Sequence, residues 1–286
     1  MADKVLLAQV FNVYGSFTPT KASAYLRVIG DVIGESYFDI TDDACIDALN
    51  FSVLTQSTNK LIVDNRDPAF TGSGFLSTLE FVPTQSYSSV DYPITTTISD
   101  TYRIWIRVQK LTGNFLARVY INGTQEGKIE AAGPTGTDWL WLSCDIEISK
   151  TRDHIMSIVM QEDNNTLDKI YITSDLTATP TGTGPVLTTA PYITVNSMLY
   201  TVDSSGRPDY PLFINDYKTT RGELRTDDWY NFDLNLIDDS LASVSFNDRY
   251  ALVLVTSGSN DDQYILWELG DIDEYLCGPS AFKVLG

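Results

Sequence analysis

Alternation with a period of two recurs along this chain, and it limits the fold more than any other feature. In residues 102–108, Tyr102, Ile104, Ile106 and Val108 share one face while Arg103, Trp105 and Arg107 share the other, the pattern of a strand with one buried side. Segments of the same kind are 116–122, 140–148, 155–161, 169–173, 192–202, 211–216, 229–236, 250–256 and 263–269. Turn formers separate them, among them Asn122-Gly123, Gly133-Pro134-Thr135-Gly136 and Ser204-Ser205-Gly206-Arg207-Pro208. No segment sustains apolar residues at i, i+3, i+4 and i+7 between caps; residues 42–49 offer two turns of helix at most. A parallel α/β sheet would have nowhere to put its helices. The expectation is an all-β chain of antiparallel β-sandwiches, jelly-roll type, in two domains with an N-terminal β segment. In the sandwich expected over 60–176, the β-branched residues Ile104, Ile106, Val119, Ile121, Ile158 and Ile170 should face the interior.

The one stretch that lacks apolar periodicity and packs Pro with Gly is Thr177 to Thr189, Thr-Ala-Thr-Pro-Thr-Gly-Thr-Gly-Pro-Val-Leu-Thr-Thr, which reads as a linker. A second break sits at Gln56-Ser57-Thr58-Asn59. The segments are then 1–58, an N-terminal β segment; 59–176, a sandwich; 177–189, the linker; and 190–286, a C-terminal sandwich. Residues 1–58 form either a partial sandwich or strands supplied to the C-terminal one, with the middle domain inserted between.

The 286 residues carry 38 acidic against 19 basic side chains, a net charge of −19. A phosphate-binding surface needs the opposite sign, so neither nucleic acid nor anionic lipid is expected as a partner. No apolar run approaches the ~20 residues of a spanning helix, and the opening residues lack the features of a secretory signal. Cys45, Cys144 and Cys277 lie far apart, without the density of a disulfide scaffold or the spacing of a zinc site. They read as free thiols. The single histidine, His154, has no nucleophile signature to serve, and phosphate- and dinucleotide-binding fingerprints are absent. The chain is read as a non-enzyme.

Two resources remain. The loops Asp64-Asn65-Arg66-Asp67 and Asp163-Asn164-Asn165, the latter followed by Asp168, are rich in oxygen; they read either as Asx turns or as calcium ligands, with Asp64, Asp67 and Asp168 as the candidates. Trp139 and Trp141 flank Leu140, so alternation puts both indoles on one side, where they serve either as core or as exposed platforms for stacking.

The stretch from Lys60 to Thr183 resembles the jelly-roll carbohydrate-binding modules of the family-6 and family-35 type and the related golvesin-like domains. The matching pieces are Ile62 to Phe70 with Gly72-Ser73-Gly74, the Tyr102 to Arg107 strand, Val119-Tyr120-Ile121-Asn122-Gly123, the Trp139-Leu140-Trp141 pair, and Asn164 to Thr173. The resemblance implies a sugar held by Trp139 and by Asn164 or Asn165, with Phe75 standing in for a second ring. The C-terminal segment, through Pro191 to Val195, Arg207 to Leu212, Trp229 to Leu234 and Arg249 to Val255, is similar to β-sandwich repeats of phage virion proteins and of some bacterial surface proteins; Leu7 to Phe11 and Ala24 to Val28 echo the start of that repeat.

Two functions follow from these resemblances. One is a phage virion component (capsid decoration, fibre or baseplate), located in the particle, working as a homo-oligomer with other virion proteins and carrying a module for host or environmental glycans. The other is a secreted or surface-displayed bacterial glycan-binding protein without catalytic activity.

Overall fold

The computed structural model describes residues 7–12, 21–29, 37–57, 60–64, 67, 69–78, 87–110, 113–132, 136, 138–149, 152–161, 165–219, 224, 228–233, 235–236, 249–257, 264–267 and 282–285. No helix occurs among them, and so none is long and apolar enough to cross a membrane. The chain is all-β, and it divides into two compact units: one is 34–191, and the other is made of 1–33 together with 192–286.

The second of these units begins with β1 (Leu7–Asn12) and β2 (Lys21–Ile29). The chain then builds the whole of unit 34–191 from β3 (Phe38–Asp39), β4 (Asp43–Asp47), β5 (Val53–Thr55), β6 (Leu61–Asp64), β7 (Phe75–Thr78), β8 (Ser89–Thr95), β9 (Asp100–Lys110), β10 (Phe115–Ile121), β11 (Thr124–Ala131), β12 (Leu140–Ile148), β13 (Asp153–Met160) and β14 (Asn165–Thr173). It closes with β15 (Thr194–Val202), β16 (Pro208–Thr219), β17 (Asp228–Asp233), β18 (Asn235–Leu236), β19 (Arg249–Ser257), β20 (Tyr264–Trp267) and β21 (Phe282–Leu285).

In unit 34–191 two sheets form a sandwich. The front sheet runs β11-β10-β13-β8-β3, with β5 also on β8; the back sheet runs β12-β9-β14-β7-β6, with β4 also on β14. Pairing is antiparallel except for the short β3–β8 contact, Phe38 with Ile94 and Asp39 with Thr95. Ile104, Ile106, Val119, Ile158 and Ile170 are completely buried and Ile121 nearly so, as the alternation predicts. They pack with Tyr92, Tyr102, Met156 and Leu167, all fully buried. The hairpin between β10 and β11 turns on Asn122 and Gly123, both at positive φ (51° and 81°), the backbone that a two-residue turn of this type demands and that Asn-Gly tolerates best. Asn122 also ties the hairpin to β13: its Oδ1 accepts the Ile155 N–H at 2.9 Å and its Nδ2 lies 2.9 Å from His154 Nδ1. His154 is buried and serves this seam.

Three features depart from the sequence reading. Residues 42–49, the best helical stretch, contain strand β4, which pairs Asp43 to Asp47 with Thr173 to Lys169. Residues 37–57, expected in the N-terminal segment, belong to the middle unit through β3, β4 and β5. Residues 177–189, expected as a free linker, lie on the outer face of the back sheet: Thr188 N–H donates to Cys45 O at 2.8 Å, and Cys45 N–H to Thr188 Oγ1 at 2.9 Å. All nine residues of β14 are buried, because the core covers one face of this central strand and the 177–189 strap covers the other.

The other unit has a five-stranded sheet, β1-β19-β15-β16-β18, and a second sheet in which β2 pairs with β17, β20 and β21. β1 lies antiparallel on β19, Leu7 opposite Leu254 through Asn12 opposite Arg249. Ala24, Leu26, Val195, Leu224, Phe232 and Leu254 share one buried cluster. Strands from both ends of the chain therefore build a single core.

Candidate functional site

The site begins with an irregularity in β14. Leu167 pairs with Val108 and Lys169 with Arg107, so Asp168 is an extra residue on its strand. Such a bulge re-aims a side chain, and here it turns the Asp168 carboxylate, fully buried, onto Arg107 and the 69–74 loop. Asp168 Oδ2 accepts from Arg107 at 2.5 Å and from Thr71 Oγ1 at 2.7 Å, while Oδ1 accepts the Thr71 N–H at 2.9 Å. Arg107 also donates to Ala69 O at 3.3 Å. A second buried carboxylate holds the same loop: Asp47 accepts the Ser73 N–H at 2.8 Å and the Leu49 N–H at 2.9 Å. Burial raises both acids. It pushes Asp47 up to about 6 from an ordinary 3.8, against the pull of its two amide donors, and it raises Asp168 against the pull of Thr71 and Arg107. Between the two anchored residues sits Gly72 at φ +86°, where a Cβ would lie 2.4 Å from Asp47 Oδ2. Only glycine fits.

The loop so held supports aromatic rings. Phe70 and Phe75 lie 5.9 Å apart, and Phe75 meets Trp139 at 5.6 Å with planes at 74°. The Arg107 guanidinium lies 4.9 Å from the Trp139 ring centre, close enough for a cation–π contact. Trp139 is thus fixed on two sides yet remains partly exposed, and its indole N–H is covered with no acceptor among the described residues. Phe75, 4% exposed, buttresses the indole; it does not offer a second open face.

Strand register then lays out the outer face of the back sheet in rows. Trp141, Arg107, Lys169 and Asp47 stand side by side across β12, β9, β14 and β4; Ser143, Trp105, Tyr171 and Cys45 form the next row. The strap lies along the first row. Gly182 O accepts from Arg107 Nε and Trp141 Nε1, each at 3.2 Å, and Lys169 Nζ donates to Thr183 O at 3.1 Å and Pro185 O at 3.3 Å.

Of the residues singled out from sequence, the structure brings Trp139 and Phe75 together and leaves Asn165 apart from them. Asn165 is buried, donates from Nδ2 to Asn114 O at 2.9 Å, and exchanges main-chain contacts with Thr78 Oγ1. Its Oδ1 has no donor among the described residues. Asn164 lies outside the described residues. Asp64 is buried in β6 opposite Phe75. Asp67 closes a local turn, with Oδ1 on the Ala69 N–H at 2.7 Å and Oδ2 on Gln109 Nε2 at 2.6 Å. With Asp168 held by Arg107 and Thr71, the oxygens of Asp67 and Asp168 are directed at protein donors. Among the described residues no group of three His, Cys, Asp or Glu side chains gathers as a metal site would require. Cys45 and Cys144 are free thiols, each pushed up to about 11 by burial; Cys277 lies outside the described residues. The reading from sequence missed Arg107, which joins Asp168, the 69–74 loop, the Trp139 ring and the strap. Its signal was the Arg103-Trp105-Arg107 row on a strand face that a merely solvated surface would not furnish with an indole.

No protein-family model matches the chain, and no curated protein does. Solved structures that it is similar to include carbohydrate-binding modules and larger enzymes. They include a family 35 module from Clostridium thermocellum (13% identity, TM-score 0.39, 46% of this chain and 98% of that one) and the C-terminal CBM6 of LamC from Zobellia galactanivorans (17% identity, TM-score 0.36, 46% and 99%). A third is the Podospora anserina GH26-CBM35 β-(1,4)-mannanase (18% identity, TM-score 0.38, 49% of this chain); only 29% of that chain is covered.

Proposed function

We propose that unit 34–191 binds a glycan without turning it over, with the indole of Trp139 as the stacking surface. One observation carries the reading: a partly exposed indole is immobilised by Phe75 and Arg107 beside a loop that two buried carboxylates hold in place. An aromatic ring fixed in advance loses little entropy when a sugar stacks on it, and preorganisation of this kind is what raises affinity. The cluster spends its charged groups on one another and on main-chain groups, an arrangement suited to holding a surface in shape. Native gel electrophoresis through soluble mannan, xylan and β-glucan tests the proposal. Retardation by at least one of them is expected, and Trp139→Ala should weaken it by ~1 to 3 kcal/mol, the range for loss of one stacked ring. Equal retardation of Trp139→Ala and parent, at equal melting temperature, would move the site elsewhere.

The wider setting we propose is a phage particle, with this protein as a decoration, fibre or baseplate component. What supports it is chain organisation: a sandwich assembled from both ends of the chain carries the proposed binding module as an insertion in its sequence. The alternative, a secreted or surface-displayed bacterial glycan-binding protein, uses the same module. Mass spectrometry of purified particles from the source distinguishes them, since a virion component copurifies at stoichiometric abundance.

A further inference from the structure

We infer that residues 182–185 occupy a groove on the outer face of the back sheet, and that their displacement opens a second sugar subsite built from Trp141, Arg107 and Lys169. The ligand class rests on the glycan reading above; the groove and its occupant rest on the geometry. Three side chains from three adjacent strands, Trp141, Arg107 and Lys169, direct their donors at strap carbonyls. Every one of these contacts is main-chain oxygen on side-chain nitrogen, which is how a protein reads an oxygen-rich ligand, and all lie between 3.1 and 3.3 Å, longer than the usual 2.9 to 3.0 Å optimum. What covers the Trp141 ring is a glycine: Gly184 sits at φ +72°, and a Cβ there would lie 2.2 Å from Trp141 Cζ2. A bare peptide lies on the indole as a sugar ring would.

Little apolar burial holds the strap at this place. Thr181, Gly182 and Thr183 are exposed, Val186 is 91% exposed, and only Pro185 and Leu187 beside it are half-buried. The strap is pinned instead farther along, at Thr188 on Cys45. Segments with few buried apolar contacts open locally at low cost. The face beneath also has donor capacity that the strap does not meet: the Trp105 indole N–H, in the neighbouring row, is covered and has no acceptor among the described residues. With the strap lifted, Arg107, Lys169 and Trp141 present donors beside an open indole, contiguous through Arg107 with Trp139.

The test uses the full chain with Gly184→Ala, whose methyl group cannot share space with Trp141. Amides 182–187 should exchange hydrogen faster than in the parent, and retardation by mannan, xylan or β-glucan should correspond to about tenfold tighter binding, 1.4 kcal/mol. Adding Trp141→Ala should abolish the gain, whereas adding Trp139→Ala should leave the ratio between strap variant and parent-like strap intact. A released strap with no gain on any of the three polysaccharides overturns the inference, and so does a gain that survives Trp141→Ala. Should Gly184→Ala fail to fold or to release the strap, a strap lengthened by about six Gly/Ser residues after Val186 lowers the local concentration of the occupant instead, and unchanged binding there overturns the inference equally. A Trp141-dependent gain in a protein whose parent binding ignores Trp139 would uphold this inference and defeat the Trp139 site.

Discussion

Neutralising Asp47 should remove about 3 kcal/mol of the pH dependence of stability that this protein shows between pH 4 and 6. The carboxyl is buried and raised from 3.8 to about 6, so the folded protein holds this proton more tightly than the unfolded chain does. Within that window the folded state binds more protons, and stability therefore falls as pH rises. At 1.36 kcal/mol for each tenfold step in proton affinity, ionising Asp47 costs the native state about 3 kcal/mol, complete above pH ~6 and absent below ~3.8. Asp168 and Asp91, raised by burial, slope the same way. Asp145 and Asp175, held low by hydrogen bonds from Arg103 and Thr177, stabilise the fold above their ordinary values and withdraw that support only as pH falls further, so they do not mask the window. The assay is urea unfolding at half-unit steps from pH 4 to 7.5, followed by tryptophan emission, since Trp105, Trp139 and Trp141 all lie in unit 34–191. The parent should lose stability on going from pH 4.5 to 7. Asp47→Asn should be flatter by about 3 kcal/mol across the same range, less stable than the parent at pH 4.5, where its amide leaves Leu49 or Ser73 without an acceptor at ~1 to 3 kcal/mol. Parallel curves for parent and Asp47→Asn, with equal denaturant slopes, would refute the assignment of the proton to Asp47.

Other outcomes follow from the same cluster. Arg107→Ala should destabilise by ~3 to 5 kcal/mol because it strands Asp168 in the interior, while Arg107→Met combined with Asp168→Leu should cost much less; equal losses in chemical denaturation would contradict this. Gly72→Ala should lower stability by at least ~2 kcal/mol, from positive φ and from collision with Asp47, and a thermal melt within ~1 °C of the parent would show that the loop has another resting place. In a Cys277→Ser background, Cys45 and Cys144 should resist a thiol reagent at pH 8 and react on unfolding, since burial holds both thiols protonated; fast native labelling would count against it. Chelation should leave the melting temperature unmoved, because Asp67 and Asp168 already bond to protein donors.

The strands were readable because their side chains alternate, and the residues of 102–108 declare both the core and the outer row. Asn122-Gly123 gave the hairpin away for the same local reason. The strap could not be read: apart from Thr188 Oγ1 it attaches through main-chain groups, which every residue has, so its Thr, Pro and Gly register only as a break in pattern. β4 was hidden by the strap's presence, since a strand covered on both faces carries Ala44, Cys45 and Ile46 in succession and does not alternate. Asp168 stood among the candidates as a metal ligand; its place as a bulge opposite Arg107 depends on how β9 and β14 register, and that is set by pairing between distant segments. Trp139 and Phe75, 64 positions apart, meet only because the 69–74 loop is anchored on those two acids.

The seam between Cys45 and Thr188 bears on the order in which the chain assembles. Before unit 34–191 forms, the strands of the other unit on either side of it are tethered by a flexible span of about 160 residues; once the seam closes, the free span shrinks to about 20. With closure entropy growing as three halves RT times the logarithm of length, that contraction favours the meeting of β2 with its C-terminal partners by about 2 kcal/mol. The inserted unit thus acts as a splint for the sandwich that surrounds it in sequence: emerging first from the ribosome in complete form, it delivers both broken ends of the outer core to one place.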